Sequence, residues 1–306
     1  MSRVYKKIIA FLLIPVCLTG CGSGSTSQKH QLKNDKEVIP LVIESEMDFV
    51  KEQEDEAKEE KKSQVKEKNN NFDKDITNIV SNHTVNGDLA VYVYDLNTGD
   101  SSVVNEHKMQ AASLIKLYIA GCVYENYNDV KNYFGSESKI NDLMKVMITI
   151  SDNNAANSLT TALGNGDKAA GMQKVNNYCN NHGYGSTHMG RFLLQSNEND
   201  DNYTSVADCG KFLKDIYNNN ISGSETIASL MKQQERVSKI PAGIPGGVTV
   251  ANKTGELTNV ENDVAIVYDN TNPFIICVMS ENLGNPGSAR SAQTSIAGEV
   301  YSYITD

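Results

Sequence analysis

Three short polar groups in this chain have residue types suited to acyl transfer: Ser113-Leu114-Ile115-Lys116, Ser151-Asp152-Asn153 and Lys253-Thr254-Gly255. A serine hydroxyl is a weak nucleophile until a base takes its proton, and a lysine serves as that base only when burial or a second cation lowers its pKa. Serine and lysine three apart share one face of a helix. That spacing selects nothing by itself, because the chain holds four copies of Ser-x-x-Lys, at Ser63, Ser113, Ser136 and Ser229. Context separates them. Ser113 opens the apolar run Leu114-Ile115-Lys116-Leu117-Tyr118-Ile119-Ala120, which puts it at the N-terminus of a predicted helix, where free N–H groups and the macrodipole favour an oxyanion. Ser151-Asp152-Asn153 follows the amphipathic run Leu143 to Ile150, and Lys253-Thr254-Gly255 ends a strand pattern that starts at Val248. Taken singly, each group also reads as plain architecture: a helix cap, a capping turn, a strand end with a glycine turn.

The elements that must position these groups come from periodicity. Asp88 to Asp95 alternates as a strand, and the turn Asn97-Thr98-Gly99-Asp100 leads into a second strand over Ser101 to Asn105. Strands follow at Val248 to Lys253, Val264 to Tyr268 and Phe274 to Ser280. Helical spacing covers Leu114 to Tyr124, Ile140 to Ile150, Ala155 to Leu163, Ala169 to His182, Val206 to Tyr217 and Ser288 to Ile304. The order strands, helices, strands, helix brings both ends of the domain into one sheet and leaves the middle as a helical lobe. The expected fold is an α/β domain of the α+β kind, with about five antiparallel strands flanked by helices and a site in the cleft between sheet and lobe.

In order and setting, the three groups resemble the motifs of the class A β-lactamase family of penicillin-recognising serine hydrolases. The resemblance runs from the Asp88 hairpin to the last helix and implies a β-lactamase/transpeptidase-like fold. It further implies that Ser113 attacks the carbonyl of a β-lactam or a D-Ala-D-Ala peptide, with Lys116 as base. The oxyanion falls to the backbone N–H groups of Ser113 and Glu256. Ser151 relays a proton to the leaving nitrogen, Asn153 binds the substrate's side-chain amide, and Lys253 with Thr254 meets its carboxylate. Lys253 is also the expected second cation that depresses the pKa of Lys116. No metal or organic cofactor is implied.

The match fails where the acyl group must be removed. Class A enzymes carry a water-activating glutamate in an Ω-loop reading Arg-x-Glu-x-x-x-Asn, whereas this chain has Arg191-Phe192-Leu193-Leu194-Gln195-Ser196-Asn197. Leu193 stands at the base position and cannot activate water; Glu198 is the nearest carboxylate. Glu256 sets a carboxylate beside the carboxylate-binding strand, no arginine follows in Val260 to Tyr268, and Arg290 is the remaining candidate partner for an anionic substrate. The implied protein is a serine hydrolase acylated at Ser113 and slow to hydrolyse β-lactams. Two other readings stand beside it: a non-catalytic module that binds β-lactams or muropeptides, and a penicillin-binding-protein-like DD-carboxypeptidase acting on peptidoglycan stem peptides.

The rest of the chain concerns delivery. Arg3, Lys6 and Lys7 precede the apolar stretch Ile8 to Leu18, as in a signal peptide over residues 1–20. Leu18-Thr19-Gly20-Cys21 resembles a bacterial lipobox, which implies cleavage before Cys21 and lipidation of its sulfur. Residues 21–71, rich in Lys, Glu and Asn, bury little and read as a charged tether that holds the catalytic domain, residues 72–306, off the cell membrane. The expectation is an extracytoplasmic lipoprotein, monomeric, with a β-lactam or stem peptide as partner. The net charge of −10 disfavours nucleic acid. Cys122, Cys179, Cys209 and Cys277 lie far apart among apolar neighbours, which suits buried small hydrophobes, with a disulfide left open.

Overall fold

In the computed structural model, residues 71–306 are described; the expected signal peptide, Cys21 and nearly all of the tether lie outside them. The domain opens with a helix, α1, over 71–81. Two hairpin strands follow, β1 (Asp88–Asp95) and β2 (Ser101–Val104). The last third of the chain adds β6 (Thr249–Leu257), β7 (Val260–Tyr268) and β8 (Phe274–Glu281), then the long terminal helix α10 (Pro286–Thr305). These strands form one antiparallel sheet in the order β2-β1-β8-β7-β6. The expected fold is therefore present, with the first and last thirds of the chain sharing the sheet.

Strand alternation explains how the sheet carries two cores. On β8, Ile275, Cys277 and Met279 face the helical lobe, while Phe274, Ile276 and Val278 face the terminal helices. The second face is covered by Phe72, Ile76 and Val80 of α1 together with Ile296 and Val300 of α10. Sequence periodicity offered no helix at α1; its apolar residues, four apart, follow directly on the charged segment.

Between the strand groups the chain builds the lobe: α2 (Ile115–Glu125), α3 (Tyr127–Phe134), α4 (Glu137–Thr149), α5 (Asn153–Leu163), α6 (Lys168–Asn181), α7 (Val206–Tyr217), α8 (Ser224–Met231) and the short α9 (Ile240–Gly243). Helix α2 is buried continuously from Ile115 to Val123, as the central helix of a lobe must be. Helices α3, α8 and α9 were not expected, nor was a small sheet of β3 (Met109–Gln110), β5 (Asn202–Thr204) and β4 (His188–Met189). All four domain cysteines are buried free thiols, so the disulfide left open by the sequence is not formed. No described helix is long and apolar enough to cross a membrane.

Candidate active site

The first motif lies where the small sheet meets α2. Ser113 occupies a 3₁₀ turn, Ala112–Leu114, that runs straight into the helix. Edge strand β6 lies against this turn because residue 255 is glycine: a Cβ there would fall 2.7 Å from the Ala111 carbonyl oxygen and 3.2 Å from the Ser113 nitrogen. The glycine of the third motif thus has a steric reason, and it brings the end of β6 beside the serine amide.

The second motif joins two helices. Asp152 caps α5 by accepting a hydrogen bond from the Ala155 N–H at 2.7 Å. That cap leaves Ser151 in the link between α4 and α5 with φ of 63°, a left-handed conformation unfavourable for a side-chain-bearing residue. Seven described non-glycine residues have positive φ; four are asparagines, which tolerate it, and the others are Ala112, Ser151 and Leu194. Ala112 and Leu194 line the same cleft as Ser113, and Ser151 bonds the lysines of that site. Backbone strain of this kind costs about 1–3 kcal/mol per residue and persists where the surroundings over-determine it.

These elements converge on Lys116. Its Nζ donates to Ser113 Oγ at 2.8 Å, to the Ser151 carbonyl at 2.7 Å, to Ser151 Oγ at 3.1 Å and to Asn153 Oδ1 at 2.7 Å. From the strand side, Lys253 Nζ donates to the same Ser151 Oγ at 2.9 Å and to the Thr254 carbonyl at 2.8 Å. Ser151 Oγ therefore bridges the two lysines. Burial lowers the Lys116 pKa to about 7, with Arg236 adding to the effect. Full burial also pushes Lys253 well below the usual lysine range, with Lys116 and then Arg236 as further causes. Arg236 is thus a second cation that sequence reasoning did not place near Lys116, and Lys116 and Lys253, which share Ser151 Oγ, lower each other's proton affinity.

The structure brings Ser113, Lys116, Ser151, Asn153, Lys253, Thr254 and Glu256 into one region. Ser113, Asn153 and Glu256 line a cleft of about 310 Å³, together with Arg191, Leu193, Leu194, Gln195 and Leu257. Thr254 Oγ1 is buried with no hydrogen-bond partner, which leaves a polar atom for a ligand to satisfy.

The loop facing the serine is scaffolded from both sides. Arg191 Nε donates to Asp201 Oδ1 at 2.7 Å and Nη1 to the Gln195 carbonyl at 3.1 Å. Asp201 Oδ2 accepts from Gln110 Nε2 and Asn197 Nδ2. On α5, Asn157 clamps the backbone of Leu193: the Leu193 N–H donates to Oδ1 at 2.9 Å, and Nδ2 donates to the Leu193 carbonyl at 3.0 Å. Leu193 is buried at 7% exposure, and Leu194, at 73%, projects outward. Glu198 is exposed, outside the cleft lining, and its backbone N–H bonds Ser196 Oγ; it brings no carboxylate to the serine.

Two further placements bear on anion binding. The Glu256 carboxylate has cations of its own: Arg236 Nη1 lies 2.9 Å from its Oε2 and Lys239 Nζ 3.1 Å from its Oε1. Arg290 is not aimed at a substrate, because its Nε donates to Glu261 Oε1 at 2.8 Å while Lys239 holds Glu261 Oε2 at 2.8 Å. Sequence reasoning missed Arg236, Lys239, Asp201 and Asn157. Of these only Asn157 carried a signal, lying four residues after Asn153 on the same helical face. One described group, Asp88, His107 and Glu281, brings metal-ligating atoms within 4.8 Å of one another. Each already bonds protein, to Asn282 Nδ2, the Asn105 carbonyl and the Gln110 N–H respectively.

A serine, two buried lysines and a bridging serine in a cleft between sheet and lobe define an active-site-serine hydrolase. Residues 71–304 match the model of the β-lactamase enzyme family, and the chain belongs to that family. No curated protein matches it. Among solved structures it is similar to PBP-A, with TM-score 0.64 and 21% identity over 77% of this chain and 96% of that one. A leucine-to-glutamate variant of PBP-A, an acyl-enzyme complex with penicillin G, is similar at TM-score 0.65 and 20% identity over 77% and 97%. An ancestral class A β-lactamase is similar at TM-score 0.63 and 18% identity over 76% and 99%.

Proposed function

We propose that this protein is an exported, lipid-anchored serine hydrolase that is acylated at Ser113 by β-lactams or D-Ala-D-Ala-type peptides and releases the acyl group slowly. The observation that carries the reading is the 2.8 Å contact between Lys116 Nζ and Ser113 Oγ, made by a lysine whose pKa is brought down to about 7. Near neutral pH a substantial fraction of such a lysine is unprotonated and can accept the serine proton as Oγ bonds the carbonyl carbon. The backbone N–H groups of Ser113 and Glu256 hold the resulting oxyanion. The proton then passes from Lys116 through Ser151 Oγ, 3.1 Å away, to the leaving nitrogen as the C–N bond breaks. Thr254 Oγ1 and Lys253 receive the substrate's carboxylate.

Slow release rests on Leu193, which lines the cleft where family enzymes keep a carboxylate base. The acyl-enzyme of a similarly folded protein with penicillin G supports a β-lactam as the acylating partner. Export and membrane attachment rest on the lipobox around Cys21. Incubation with benzylpenicillin, followed by intact mass, tests the reading: a Ser113-dependent adduct is expected, and its absence refutes it.

A further inference from the structure

The cleft contains a carboxylate of its own at the point where an anionic substrate would be read. Glu256 lines the cleft and follows directly on the Lys253-Thr254-Gly255 group. Its side chain, 30% exposed, holds Arg236 at 2.9 Å and the buried Lys239 at 3.1 Å. The next cations are also committed, since Glu261 takes Lys239 at 2.8 Å and Arg290 through Oε1. Arg236, Lys239 and Arg290 thus share two carboxylates, and the Arg236 guanidinium beside Glu256 is engaged by the protein itself. Lys253 is fully buried and already donates to Ser151 Oγ and to the Thr254 carbonyl. A ligand carboxylate entering beside Thr254 Oγ1 meets a like charge on Glu256 and must share or displace it at Arg236.

We propose that Glu256 is a specificity-determining residue that weakens, without abolishing, the binding of substrates carrying a carboxylate at this subsite, and so narrows their advantage over neutral ones such as acyl-D-amino acid amides or esters. The inference rests on the serine-acylation reading for the reaction concerned, but the occupancy of the subsite can be measured without acylation.

In the Ser113→Ala protein, binding of benzylpenicillin and of its uncharged methyl ester would be titrated by NMR, with and without Glu256→Gln. Removing the carboxylate is expected to tighten the acid about tenfold and the ester less than twofold. Glu256→Ser repeats the comparison should the glutamine variant fold poorly. Equal changes for both compounds, weaker binding of the acid, or no binding of the acid to either variant would overturn the inference. A parallel mass experiment on the wild type reads acylation separately: absence of an adduct refutes the hydrolase reading, while the acid-to-ester ratio still decides the role of Glu256.

Discussion

The two walls of the cleft are built to the same standard and end in opposite chemistry. On the sheet side, Ser113, Lys116, Ser151 and Lys253 form a chain of direct contacts of 2.8–3.1 Å, almost wholly buried. On the loop side, Arg191, Asp201 and Asn197 brace the loop and Asn157 holds the backbone of Leu193 just as firmly, at 2.7–3.2 Å, and the side chain presented there is apolar. A loop that had merely drifted would not keep a two-point clamp on one residue. The contrast teaches that positioning and chemistry are separable: the loop is held by a full set of polar contacts, and the side chain it sets in the cleft is a leucine. In the proposed reaction, acylation and deacylation would then depend on different walls and could be disturbed one at a time.

The largest expected effect lies on the sheet side. Ser113→Ala removes the nucleophile and should abolish the penicillin adduct; Lys116→Ala should slow its formation by about 10²–10⁴-fold, the range for loss of a positioned base. Stopped-flow acylation rates check both. A comparable loss from a substitution on the loop wall would break the comparison.

On the loop side, Leu193→Glu places a carboxylate in the clamp of Asn157. It should leave adduct formation within a few-fold and accelerate adduct loss by about 10²-fold or more, followed as release of penicilloate. If the adduct persists unchanged, geometry and not the missing base limits deacylation.

A smaller effect follows from pH. The pKa of Lys116 is lowered to about 7, so the lysine is protonated below that value and neutral above it. Acylation should fall about tenfold per unit as pH drops below 7 and level off above it. Adduct loss in the wild type should not follow the same limb if Lys116 serves only the first step.

The smallest effect concerns stability. Asn157→Ala leaves the buried Leu193 N–H and carbonyl without partners, at a cost of about 1–3 kcal/mol. A melting temperature lowered by several degrees, with acylation rates preserved, would confirm that this clamp serves the loop wall alone.

What the sequence disclosed follows the same division. The five strands were legible because β1 alternates, β8 is a short continuous apolar run and compact turns join the hairpins. The acylation groups were legible because Ser113 precedes a helical run, Ser151 follows one and Lys253 continues a strand pattern, although β6 does not end there but runs through Gly255 to Leu257. Helix α3, eight residues with Val130 as its sole buried side chain, has too small an apolar face to stand out. Strands β3, β4 and β5 are two or three residues long and carry no period. The ion-pair network of Arg236, Lys239, Glu256, Glu261 and Arg290 joins residues up to 54 positions apart, and no local pattern announces such pairing. That is why Arg290 read as a candidate substrate partner and the cations around Glu256 went unread. The signal peptide, lipidated Cys21 and tether rest on sequence alone.

The central claim, that the acylating wall is complete and the deacylating wall lacks its base, is tested most directly by intact mass over time. Purified protein would be mixed with benzylpenicillin and sampled from seconds to hours, with Ser113→Ala beside it. The account predicts a single covalent adduct that forms promptly, persists, and is absent from the variant. Steady production of penicilloate with no adduct at any time would contradict it, because some other group would then be activating water opposite Leu193.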